Sequence, residues 1–258
     1  MKPFAGTKVY RVMTQTTRQF IPVILAMLTL VSLPAFGQVP LPGEREEAEP
    51  LPPIELETLV EQSEVVALAQ VLDVDYEYTR DFPTGGTAFL QLLIRYKVPR
   101  VLPNIIEVYE EGLHPHECYF PNPSVIEEGQ RFLVFLRANP EVDGQWLGMP
   151  EGCKLAVLVT NENRYALRFP LKGIDIMESE ALAAAAQPIE FADAHAVLSI
   201  DDLTVAERDA LLESGQLEKR DDGNFKLTQG IMLGDFRALV GPDRLTTDRA
   251  LLRPAVEE

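Results

Sequence analysis

The amino-acid sequence predicts a mainly β fold with helical additions (α+β), and three observations predict it. Between Val65 and Phe169, apolar and polar residues alternate in six short runs bounded by Pro, Gly or Asn, the period-2 signature of strands. Beyond Gly173 the pattern turns helical, with residues suited to starting and stopping helices. Of the 258 residues, 46% are apolar and 24% charged, a balance that supports a sizeable core in a soluble domain.

The first element has no part in that fold. Lys2, Lys8, Arg11 and Arg18 form a basic segment without acids, Phe20 to Leu33 is apolar, and Pro34-Ala35-Phe36-Gly37 supplies a helix break and small residues. This order is that of a cleavable export signal over 1–37, leaving a chain that begins at Gln38 in the periplasm or the secreted space. The alternative is an uncleaved anchor, against which the apolar run is shorter than the about 20 residues that span a bilayer. No stable membrane insertion is expected after cleavage.

Residues 38–53 hold five prolines and a block of glutamates and are expected to form a linker. Ile54 to Gln62 places Leu56, Leu59 and Val60 on one helical face. Strands are expected over 65–78 and 87–98, joined by a turn at Pro83-Thr84-Gly85-Gly86, then over 105–109, 131–137, 154–160 and 164–169. Several short strands joined by small turns make a sandwich or a barrel. In the run 131–137, Phe132, Val134 and Leu136 alternate with Leu133 and Phe135, so both faces of that strand need cover. Over 173–222 a helical insertion is expected. It contains Ala181 to Ala186 and a helix over 202–217 with Thr204 as N-cap, Glu207 three residues on and Gly215 as stop. Asp222-Gly223 turns into a closing strand over 224–228, and a final helix over 231–240 ends at Gly241-Pro242.

Several of these segments together resemble the netrin-like, tissue-inhibitor-of-metalloproteinases-like OB barrels. They are Ser63 to Val71, Arg95-Tyr96-Lys97-Val98, Glu128 to Leu136, Gly223 to Leu227 and Leu233 to Arg237. The resemblance implies a small OB-like antiparallel barrel within 54–172, with the closing strand, helix and tail in 223–258. Where such domains often carry Lys-Gly after the second strand, this chain has Val101-Leu102-Pro103. Where the inhibitors chelate a protease metal with an N-terminal cysteine, it has Gln38, so that mode of inhibition is not implied.

Charge narrows the partners. There are 40 acidic against 23 basic residues, and loss of the four signal cations takes the formal charge from −17 to −21. No Lys/Arg cluster of the kind that binds phosphates is present, which argues against nucleic acid and anionic lipid. Cys118 and Cys153 are the only cysteines, and in an oxidising compartment they are expected to form a disulfide rather than a thiol site.

His114-Pro115-His116-Glu117-Cys118 is the sharpest candidate for chemistry, since two imidazoles and a thiolate suit zinc or copper. Against it, a structural zinc wants four ligands and Cys118 is spoken for, so His114 and His116 remain minor candidates and no metal or cofactor is assigned. Asp73, Asp75, Glu77 and Asp81 depart from a calcium loop, with Tyr78 at its glycine position and Thr84 at its terminal glutamate. They read instead as the solvent side of a strand. Trp146, Tyr119 and Phe120 are candidates for a binding platform or for the core. No Gly-x-Ser-x-Gly, His-Glu-x-x-His, phosphate loop or Cys-x-x-Cys occurs. The expectation is an exported, non-enzymatic module that binds a protein partner; the alternative is a secreted metal-binding protein or hydrolase that uses His114 to Cys118.

Overall fold

A computed structural model describes residues 52–112, 117–123 and 129–245. Five strands close a barrel: β1 (Val65–Thr79), β2 (Phe82–Lys97), β3 (Ile105–Glu111), β4 (Arg131–Ala138) and β5 (Gln145–Gly148). Their order is β1-β2-β3-β5-β4, and β4 pairs back onto β1 to complete the ring. All contacts are antiparallel except β3 with β5, which is parallel. This is the arrangement of an OB-like barrel.

The expected turn at 83–86 is corrected. β1 and β2 form one long hairpin that reverses at Arg80-Asp81, with Arg80 at φ 60°, and β2 already begins at Phe82. Gly85 and Gly86 lie inside β2, and Gly86 marks a close backbone approach: a Cβ there would sit 2.2 Å from the Asp75 carbonyl oxygen. A bulge near Leu72 shifts the parity of β1. Val65, Ala67, Ala69 and Val71 therefore face the barrel interior before it, and Val74 and Tyr76 after it.

β4 does not end the sheet. Beyond the barrel, β6 (Lys154–Val159) pairs with β4, followed by β7 (Tyr165–Arg168). The expected strands at 154–160 and 164–169 exist, but they run outward from the ring, and the fifth barrel strand is the short Gln145–Gly148 that the pattern did not reveal. Further strands are β8 (Gln187–Pro188), β9 (Val197–Leu198), β10 (Leu217–Lys219), β11 (Phe225–Leu227) and β12 (Gln229–Met232). β12 lies between β7 and β8 in the large sheet, while β10, β11 and β9 make a separate small one. Two expectations are thereby corrected: 224–228 does not close the barrel, and 231–240 is not one helix. Ile231 and Met232 pair with Leu167 and Ala166 instead. A Cβ at Gly230 would lie 2.7 Å from the Leu167 carbonyl oxygen, so glycine is what lets β12 approach.

The helices are short: α1 (Leu56–Gln62), α2 (Glu180–Ala185), α3 (Val205–Glu213) and α4 (Phe236–Val240). Thr204 and Glu207 make the capping box expected at α3. The expected helix over 202–217 ends early, because Leu217 enters β10 and Gly215 turns the chain at φ 72°.

Three cores follow from a sheet covered on both sides. Phe132, Val134 and Leu136 fill the barrel with Trp146, Leu90 and Val108. Leu133 and Phe135 face the other way, under α1 and α4, where Tyr96 meets Phe236 edge-on at 5.0 Å. The helical insertion contributes Leu182 of α2 to this second core. Its later part, together with β11, covers the far face of β6, β7 and β12, packing Phe191, Phe225 and Leu227 on Leu158 and Ala166. Each fully buried Leu or Phe contributes roughly 1.5–3 kcal/mol relative to exposure. Among the described residues, no helix is long and apolar enough to cross a membrane.

Candidate functional site

Of the residues singled out in the sequence, Cys118, Phe120, Trp146 and Cys153 come together in the barrel core. Cys118 and Cys153 are bonded, with Cα atoms 5.7 Å apart. Gly148 makes room for the bridge, since a Cβ there would lie 2.8 Å from that of Cys118. Glu110 continues the inward parity of Ile106 and Val108 on β3 and is buried. Its carboxylate accepts hydrogen bonds from the backbone N–H groups of Cys118 at 2.7 Å and Glu111 at 2.9 Å. Phe120 plugs the barrel against Phe132, ring centroids 5.5 Å apart. The Lys154 ammonium lies 4.8 Å from the Phe120 centroid and 5.7 Å from that of Phe132. Burial lowers Lys154 to about 8, and the negative charges of Glu110 and Glu117 oppose that shift. The Tyr76 hydroxyl accepts from the Phe120 N–H at 2.9 Å, and burial raises its titration well above the usual tyrosine range. Tyr119 donates to the Gly112 carbonyl at 2.9 Å.

These groups clamp the β3–β4 connection onto the barrel. Tyr119, Phe120 and Trp146 are buried, so they serve as core. The inward parity of Glu110 was readable from Ile106 and Val108; the placement of Lys154 beside two rings from distant segments was not.

His114 and His116 lie outside the described residues. Cys118 is consumed by its disulfide. His195 sits in the turn Ala194–Ala196, its Nδ1 3.2 Å from Gln130 Nε2. It lines a cleft of about 350 Å³ with Arg131, Asn163 and Asp193. Asp193 accepts from the N–H groups of His195 and Val159, at 3.0 and 3.2 Å. Asp73, Asp75 and Glu77 are exposed along β1, as a solvent-facing row. Among the described residues, no group of three or more His, Cys, Asp and Glu is placed to hold a metal.

The feature best suited to ligand binding was not foreseen. After β7 the chain passes through Phe169-Pro170, and Gly173, at φ 107°, brings it close over the Lys154 carbonyl. The segment that follows pairs with the start of the described chain: the Ile54 N–H donates to Asp175 at 2.9 Å and the Met177 N–H to Ile54 at 2.8 Å. Ser179 then caps α2 by accepting from the Leu182 N–H at 3.1 Å. Between these pieces lies a groove of about 870 Å³. Phe169, Pro170, Leu171, Ile174 and Leu182 give it apolar surface, with Ala183 and Ala186 beside them. Its polar lining includes Asp175, Glu178, Glu180, Gln216 and Gln229, and among the described residues no Lys, Arg, His or Cys. A neighbouring hollow of about 340 Å³ shares Met177, Ser179 and Leu182 with it and adds Glu55, Glu57 and Arg244. Arg244 already donates to the Val240 carbonyl at 2.9 Å and lies 3.9 Å from Glu61.

The lining joins apolar surface to three carboxylates and two amides, and its serine is engaged as a helix cap. Most of the lining comes from the stretch 169–186, which is held by the bridge at Ile54, and Pro53, Gln216 and Gln229 complete it from elsewhere in the chain. Comparison of the chain with protein-family models, curated proteins and solved structures finds no match.

Proposed function

We propose that the chain is an exported, non-enzymatic binding module that takes a segment of a protein partner into the groove between Phe169–Pro170 and α2. The groove is the observation that carries this reading: its volume lies in the range of ligand sites, about 300–1,000 Å³, and it pairs an apolar lining with a few polar groups. The signal-like N-terminus and the Cys118–Cys153 bridge support an oxidising, exported setting. The resemblance to netrin-like barrels, whose architecture recurs in binding modules, points the same way. The engagement of Cys118 weighs against the metal-binding alternative at His114 and His116.

A peptide-display selection against the purified protein tests the proposal, with counter-selection on Ala183→Trp. Ala183 is exposed on α2 and lines the groove, so the indole fills the site without entering a core. Peptides that bind the wild type and are lost on Ala183→Trp are the expected result. Peptides that bind both equally would remove the groove from the function.

A further inference from the structure

The geometry points to one kind of occupant, a peptide segment that combines apolar side chains with Lys or Arg. This rests on the groove being the binding site and adds the chemistry of the partner. Asp175, Glu178 and Glu180 line the groove together with its apolar surface, and no cation among the described residues does. The adjoining hollow adds two more carboxylates, and its single cation among the described residues, Arg244, is held by Val240 and Glu61. Carboxylates and apolar side chains line one and the same groove, so a short segment carrying both kinds of group can set its apolar side chains on the apolar surface and its cations against the carboxylates.

Met177, 46% exposed, lines both hollows, and its flexible thioether adapts to differing apolar partners. The chain's own leader enters the described structure beside this groove, at Pro53. With Glu44, Glu46, Glu47 and Glu49 against Arg45 alone, it carries the wrong charge to fill it.

The test uses the exported full chain and fluorescent synthetic peptides of alternating Leu-Lys, Leu-Gln and Leu-Glu, read by anisotropy. The Leu-Lys peptide is expected to bind most tightly and to weaken with salt. The double variant Glu178→Lys/Glu180→Lys should weaken it by at least about tenfold, because like charges then face each other. Asp73→Lys/Asp75→Lys, which reverses charge on an exposed strand elsewhere, should leave it unchanged. Equal loss in both double variants would mean attraction to net charge alone and would overturn the proposal. Equal binding of Leu-Gln and Leu-Lys would overturn the basic character while leaving the groove as a binding site. Failure of all three peptides would count against both readings. Binding that appears only after residues 38–51 are removed would make the leader the occupant and end the case for a basic partner.

Discussion

Lys154 shows how much one side chain depends on what surrounds it. In the sequence it is an ordinary cation at the head of an apolar run; in the fold its ammonium lies beside two phenylalanine rings. Burial lowers its titration from 10.5 to about 8, a difference of roughly 3 kcal/mol between its two protonation states. Attraction to the rings, about 0.5–2 kcal/mol, offsets part of this. Below about pH 8 the amine is charged in both folded and unfolded chains and its burial costs stability; between about 8 and 10.5 the folded chain alone sheds the proton and the cost is relieved. Lys154→Met keeps the contact with the rings and removes the charge. Urea unfolding should find it more stable than the wild type at neutral pH, by roughly 1–2 kcal/mol, with the gap closing as pH approaches 10.5. A gap that does not change with pH would show that the ammonium is not the cause.

At the scale of the element, β4 joins the barrel to the rest. It pairs with β1 along one edge and with β6 and β5 along the other, and its alternate residues enter two different cores. Phe135 is fully buried and Phe132 nearly so. Truncation of either to Ala should cost about 3–5 kcal/mol, read as a lowered urea midpoint with the slope retained; unchanged midpoints would contradict this placement. The two-sided apolar pattern of 131–137 made this strand legible in advance. β5 was hidden because four residues around Trp146 are too few to display a period. The pattern at Ile231 and Met232 suits a helix as well as a strand, because a short apolar run fits either period. Their strand state was decided by the unpaired edge of β7 and by Gly230, which admits the Leu167 carbonyl.

For the molecule as a whole, the disulfide ties the β3–β4 connection to the start of β6 across 35 residues. Closing a loop of that length restricts the unfolded chain, so Cys118→Ala/Cys153→Ala should lower stability by roughly 3–4 kcal/mol. Non-reducing peptide mapping of native protein should recover the two cysteines as one linked pair. Two alkylatable thiols would reopen the metal reading at His114 and His116. The remaining organisation is a barrel whose sheet continues outward, with α1 and α4 on one face and the later part of the insertion on the other.

The sequence by itself determined the β-rich class, α1 with its buried Leu56, Leu59 and Val60, the capping box at Thr204 and Glu207, and the pairing of the only two cysteines. Each depends on chemistry local to the chain or on simple counting. Only the tertiary structure decided which strands close the ring, where β12 inserts, and that Phe169, Ile174 and Leu182 meet beside Asp175, Glu178 and Glu180. Period records that a face is buried but not against what. The groove's residues lie mostly in one stretch, 169–186, but how they face one another depends on the bridge to Ile54 and on the burial of Leu182 against distant residues, which no local pattern records.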